Sequence, residues 1–143
     1  MQVLTENILT TTIRQRPADS YKGTYGRVTL IGGNRNFGGA IIMASAAAVY
    51  AGAGLVTTIT DASNQSSLHA RLPEAMFADM QDFTQTRTLI RQADVVVLGP
   101  GLGTDTAALT TLKQAFQAIT PEQHVILDGS AITLVAEQHL PLP

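Results

Sequence analysis

Residues 93–105 read Ala93-Asp94-Val95-Val96-Val97-Leu98-Gly99-Pro100-Gly101-Leu102-Gly103-Thr104-Asp105. A short apolar run rich in valine breaks into a glycine-proline loop and ends on two residues suited to capping a helix. The run predicts a buried strand over 93–98, and Thr104 and Asp105 predict a helix start directly after the loop. Between them, three glycines remove the Cβ atoms that would hold a ligand off the backbone, while Pro100 stiffens what the glycines expose. A strand-to-helix junction of this kind presents free N–H groups at the positive end of a helix dipole, which attracts anions.

A second junction lies upstream, where Arg27-Val28-Thr29-Leu30-Ile31 runs into Gly32-Gly33-Asn34-Arg35-Asn36-Phe37-Gly38-Gly39-Ala40. Alone it is a weak signal. It matches neither the G-x-G-x-x-G dinucleotide fingerprint nor a P-loop, because no Gly-Lys-Ser/Thr follows, and a tight turn would account for it. Two glycine junctions after two strands, however, point to one composite site.

Working outward, apolar runs of strand length alternate with helical ones. A strand over 27–31, a helix over 39–51 stopped by Gly52 and Gly54, and a strand over 55–60 make a βαβ unit. Residues 40–49 are almost wholly apolar, with small residues at Ala44, Ala47, Ala48 and Ala51, which predicts a helix buried on every side. A short helix over 62–71, an extended stretch over 73–78 and a helix over 84–92 come next. After the strand over 93–98 follow a helix over 105–119, a strand over 124–127 and a helix over 130–137. The expected fold is α/β, a three-layer sandwich with a mostly parallel sheet that binds ligands at the carboxyl ends of its strands. Residues 1–26, polar and carrying Arg14, Arg16 and Lys22, are expected to form an exposed arm, and residues 27–143 the α/β domain. The sequence stops at Leu140-Pro141-Leu142-Pro143, where another strand would be expected. The open sheet edge should therefore be covered by a second copy or by further chain.

Composition narrows the function. With 45% apolar and 14% charged residues in 143, the chain is expected to be globular rather than disordered. A net charge of -2 without a Lys/Arg cluster gives no footprint for nucleic acid. No apolar run approaches the ~20 residues that span a bilayer, and the N-terminus lacks the apolar core of a signal peptide, so a cytoplasmic protein without membrane partners is expected. The chain has no cysteine, which removes disulfides, thiolate metal sites and a cysteine nucleophile. His69, His124 and His139 match no metal spacing. Asp61 and Asp128 end predicted strands, where a carboxylate either caps the next turn or lines a site, and Glu74 after Pro73 faces a pocket wall or solvent. No nucleophile-base set or metal cluster can be assembled, so no catalytic residue and no metal ligand is assigned.

The ordered motifs Lys22-Gly23-Thr24-Tyr25-Gly26-Arg27, Gly32-Gly33, Gly38-Gly39-Ala40, Ala51-Gly52-Ala53-Gly54-Leu55-Val56, Pro73-Glu74-Ala75-Met76 and the loop 99–103 resemble the ADP/ATP-dependent NAD(P)H-hydrate dehydratases of the ribokinase-like superfamily. The resemblance implies a ribokinase-like sandwich of which this chain holds the N-terminal half. It implies repair of hydrated NADH and NADPH: a nucleotide, ADP or ATP with Mg2+, phosphorylates the hydrate's hydroxyl, and phosphate elimination restores the dihydropyridine. By motif, Ala40 and Gly103 would contact the hydrated dinucleotide, with Gly39, Gly101, Lys22, Tyr25 and Asp128 near it. Family members often carry Asp-Ala-Asp where this chain has Asp128-Gly129-Ser130. The Thr-Pro-His segment, the nucleotide-binding stretch and the Gly-x-Gly-Asp motif with the family's catalytic aspartate are absent from these residues, so the chain alone is not expected to turn over. A homo-oligomer, a tetramer, is also implied.

Three other readings stand beside this one. A small Rossmann-like module would use the loop 32–39 for pyrophosphate and Asp61 for ribose. A carbohydrate or vitamin kinase of the same superfamily would share the fold. A structural remnant would only assemble through its open sheet edge.

Overall fold

The computed structural model describes residues 5–13 and 15–143. A short helix α1 (Asn7–Thr12) and a 3-10 turn (Lys22–Tyr25) precede the first strand. The strands are β1 (Arg27–Ile31), β2 (Leu55–Thr60), β3 (Met76–Asp79), β4 (Val95–Leu98) and β5 (His124–Leu127). They alternate with helices α2 (Gly38–Tyr50), α3 (Gln65–Arg71), α4 (Phe83–Arg91), α5 (Thr106–Ala118) and α6 (Ser130–Gln138). All four strand pairings are parallel and the order is β3-β2-β1-β4-β5, so the mostly parallel sheet of the expectation is wholly parallel here.

This order locates the site. From β1 the chain winds outward through β2 to β3, then returns past β1 to β4 and winds the other way. The helices change face as the direction changes. Leu30 and Val56 pack with Ile41, Ile42, Ala46 and Leu68 of α2 and α3. Ile31, Ile59, Val96 and Leu98 pack on the opposite face with Ile90, Leu112, Ala115 and Leu134 of α4, α5 and α6. Alternation along each strand thus feeds two cores and makes three layers. The reversal falls between β1 and β4, and a parallel sheet opens a crevice at the carboxyl ends of the two strands that flank such a point. Those ends are the starts of the two glycine loops.

The structure corrects the expectation that α2 is buried all round. Gly38, Ile41, Ile42, Ser45 and Ala46 are buried, but Gly39 and Ala47 are exposed, and Met43 and Tyr50 are 65% and 80% exposed. The reason is geometric: a helix in an outer layer touches the sheet along one stripe, and its apolar composition does not alter that. Near Pro73 the extended stretch is shorter than expected, because residues 73–75 form a turn before β3 while Leu72 and Ala75 plug the α2–α3 core. Arg16 and Lys22 are exposed, whereas Arg14 lies outside the described residues. At the other edge, among the described residues, β5 pairs with β4 alone, and Ile126 is 52% exposed. Among the described residues no helix is long and apolar enough to cross a membrane.

The two faces of α2 make a direct test. Ile41→Ala, at a position with no exposure, should cost about 2–5 kcal/mol in denaturant unfolding. Met43→Ala, two residues on, should stay within about 0.5 kcal/mol of the parent.

Candidate ligand site at the glycine loops

The two loops at the switch point are hydrogen-bonded to each other. Gly33 N–H donates to the Pro100 carbonyl at 2.8 Å and Asn34 N–H to the Gly101 carbonyl at 2.7 Å, continuing the β1–β4 ladder beyond the strands. The approach is so close that a Cβ on Gly32 would overlap the Pro100 carbonyl oxygen. At Gly101, φ is +65° and a Cβ would overlap the Phe37 carbonyl, so both backbone conformation and space demand glycine there. β2 supports the first loop from behind. The Gly33 carbonyl accepts from the Thr60 hydroxyl at 2.7 Å and from the Asn64 amide at 2.8 Å, and Asn64 is buried.

Two cavities open on this wall. One, of about 480 Å3, is lined by Asn34, Phe37, Ala40, Gly101, Gly103 and Ser130, among others. The second, of about 590 Å3, shares Asn34 and Asp105 with it and extends toward Arg35 and Asp61. Asn34 is a strut as well as a lining group. Its carbonyl oxygen accepts from the N–H groups of Asn36 and Phe37, and its amide donates to the Leu102 carbonyl, tying the first loop to the second. Gly103 N–H donates to the Ser130 hydroxyl at 3.1 Å, which fixes the second loop to the start of α6.

The helix starts differ in what they offer. At α5, Asp105 accepts from Ala108 N–H at 2.8 Å, so its carboxylate is engaged as a cap. At α2 the N-cap is Phe37, which provides no side-chain cap; its own N–H donates to Asn34 and Ala40 N–H donates to the Phe37 carbonyl at 3.3 Å, so exposed Gly39 offers its N–H to an anion beside the cavity. Asp61 is also a cap: its Oδ1 accepts from the Ser63 hydroxyl at 2.6 Å and from Ser63 N–H at 2.9 Å. These two bonds hold its carboxyl below the ordinary range, with burial opposing and the Arg35 charge adding.

Of the residues singled out from sequence, Ala40, Gly101 and Gly103 line one cavity, and Gly39 sits next to them, exposed, with open space where a Cβ would be. Asp128 is exposed just beyond β5, outside the lining of either cavity. Lys22 and Tyr25 are not brought to the loops. They precede β1, and the strand's five residues separate them from Gly32 by about 17 Å. There they line another cavity with Arg16, Gly54 and Glu74; the Arg16 guanidinium lies 4.3 Å from the Tyr25 ring centroid, and Tyr25 donates its hydroxyl hydrogen to Ser20. Asn34 and Ser130 are the site residues that sequence reasoning passed over. The first was legible as a polar residue inside a glycine loop, and the second as the serine that departs from an Asp-Ala-Asp pattern.

A sequence model of the NAD(P)H-hydrate dehydratase family matches residues 28–143. The chain is 57% identical over 143 residues to an ADP-dependent (S)-NAD(P)H-hydrate dehydratase of Lactiplantibacillus plantarum, of which it covers 51%. It is 48% identical over 142 residues to the corresponding protein of Enterococcus faecalis, covering 49% of it. Among solved structures, a ribokinase-like superfamily protein from Enterococcus faecalis superposes with a TM-score of 0.93 at 48% identity, over 97% of this chain and 49% of that one. An ADP/ATP-dependent NAD(P)H-hydrate dehydratase from Bacillus subtilis, co-crystallised with ATP/Mg2+, superposes at 0.73 with 27% identity, over 89% of this chain and 45% of that one. The chain thus spans about half the length of the curated relatives it matches, and its sandwich is ribokinase-like.

The site geometry makes two predictions. Gly32→Ala should destabilise the fold by at least about 2 kcal/mol, because the new methyl meets a backbone carbonyl. Gly39→Ala should stabilise it by about 0.5–1 kcal/mol, since alanine in a helix costs less entropy and meets nothing; denaturant unfolding measures both. Because folding lowers the Asp61 carboxyl's pKa, its contribution is present above the ordinary carboxylate range and is lost as pH falls through the folded value. The stability difference between the parent and Asp61→Asn should therefore shrink in acid, as followed by thermal unfolding across that range.

Proposed function

The chain belongs to the NAD(P)H-hydrate dehydratase family, and on that premise we propose that its two locked glycine loops form the wall against which a hydrated nicotinamide dinucleotide is held for ADP-dependent dehydration. The observation that carries this is the uncapped start of α2 beside a cavity lined by Ala40, Gly101 and Gly103. An exposed backbone N–H at a helix N-terminus suits the phosphates of a dinucleotide, and glycine at 101 and 103 lets a flat ring lie close to the backbone there.

In this reading Gly39 N–H binds phosphate beside Ala40, the loop 101–103 supports the nicotinamide end, and Ser130 and Asn34 keep that loop in place. Asp128, exposed at the end of β5, is the carboxylate at the outer margin of the site. Lys22 and Tyr25 carry no contact with the same ligand in the same chain.

When bound, the nucleotide with Mg2+ supplies the phosphoryl group that turns the hydrate's hydroxyl into a leaving group. The residues described do not fit that part of the reaction. No three His, Asp or Glu side chains among them come together as a metal-binding group, and Asp105, the carboxylate of the smaller cavity, is engaged in capping α5. These residues bind and orient substrate, and no phosphoryl-transfer step is assigned to them. A cytoplasmic location and a homo-oligomer, a tetramer by resemblance, belong to the same reading. The exposed apolar face of α2 supplies a surface for assembly.

Calorimetry with hydrated NADH and with NADH tests the proposal. The 143-residue chain should bind the hydrate more tightly than intact NADH, Gly39→Val should weaken that binding about tenfold or more while the fold survives, and addition of ADP and Mg2+ should produce no turnover. Dehydration at a rate comparable to the longer relatives would place the catalyst within these residues and overturn the assignment.

A further inference from the structure

The larger cavity beside the glycine wall is not used by the reading above. It begins at Asn34 and Asp105, the two residues shared with the smaller cavity, and extends past the carboxyl end of β2. Its floor is apolar, with Leu102 and Ala108 buried and Met80 half-buried, and Phe83, 49% exposed, stands at its side. Its charged groups, apart from the capping Asp105, are Asp61 and Arg35. Both hydrogen bonds to Asp61 fall on Oδ1, which leaves Oδ2 to accept another. Arg35 is exposed on the first glycine loop.

This combination has a specific chemical meaning. An apolar lining with Phe83 exposed at its side suits a purine. A carboxylate at the end of the second strand of a parallel sheet, one strand away from a glycine loop, is positioned to accept a hydrogen bond from a ribose 2′-hydroxyl, and a neighbouring arginine accommodates a 2′-phosphate. Here both groups are present in one cavity contiguous with the phosphate-binding start of α2. A carboxylate alone would repel a 2′-phosphate and an arginine alone would gain little from a 2′-hydroxyl; together they admit either form.

We propose that this cavity is the adenosine subsite of the dinucleotide, in which Asp61 reads the 2′-hydroxyl of the NADH form and Arg35 the 2′-phosphate of the NADPH form. The proposal rests on the dinucleotide reading of the glycine wall.

The test is isothermal titration of the 143-residue chain with ADP-ribose and with 2′-phospho-ADP-ribose, two probes that lack nicotinamide. Arg35→Gln should weaken 2′-phospho-ADP-ribose about tenfold and ADP-ribose less than about twofold; Asp61→Asn, which can still accept from Ser63, should weaken ADP-ribose and spare or strengthen the phosphorylated probe. Failure of either probe to bind, or loss of both to the same extent in each variant, overturns the subsite. Failure of the functional reading looks different. If the probes and variants behave as stated but hydrated NADH binds no better than NADH, the adenosine subsite stands and the site is a plain dinucleotide site.

Discussion

Two backbone hydrogen bonds, from Gly33 N–H to the Pro100 carbonyl and from Asn34 N–H to the Gly101 carbonyl, hold the loops after β1 and β4 against each other. Neither loop could take this position with ordinary side chains at Gly32 and Gly101, where a Cβ would overlap backbone oxygen. The contact converts two strand-to-helix turns into one surface. It also closes the point where sheet winding reverses, so that the crevice such sheets open is floored by backbone rather than by side chains.

The rest of the structure supports that contact from behind. Thr60 and Asn64, at the end of β2 and the turn after it, both donate to the Gly33 carbonyl. A Cβ on Gly38 would overlap the Asn64 side chain, so the start of α2 and the turn after β2 are pressed together. Deeper in the same layer the hydroxyls of Ser45 and Thr58 are hydrogen-bonded at 2.7 Å, satisfying each other inside an apolar core. On the other side, Ser130 ties Gly103 to α6 and Asn34 ties the loops together. A wall held this way needs little reorganisation when a ligand arrives.

How much of this was legible in the sequence depends on whether the signal was local. The run Ala93 to Leu98 and the loop after it announced a strand, a turn and a cap at Thr104 or Asp105; the strand is found over Val95–Leu98 and the cap is Asp105. Glycines marked the loop contact without identifying its partner. That Gly32 faces Pro100, or Gly101 faces Phe37, is set by strand order, which no local pattern encodes. The exposed face of α2 was misread because Met43 and Tyr50 are apolar, and hydropathy does not distinguish a helix enclosed by protein from one lying on its surface. Lys22 and Tyr25 were grouped with the loops by motif, whereas chain direction puts them at the amino end of β1. Ser130 and Asn34 were missed because their roles are hydrogen bonds to backbone 27 and 68 residues away.

In the proposed reading the locked loops, and not the cavity at the amino end of the sheet, receive the hydrated dinucleotide. Backbone amide chemical shifts recorded while hydrated NADH is titrated into the chain address it most directly. The largest shifts should fall on Gly38, Gly39 and Ala40 and on Gly101, Leu102 and Gly103, with Lys22, Gly23 and Tyr25 unmoved. Shifts concentrated at Lys22, Tyr25, Gly52 and Gly54, with the loops silent, would contradict it.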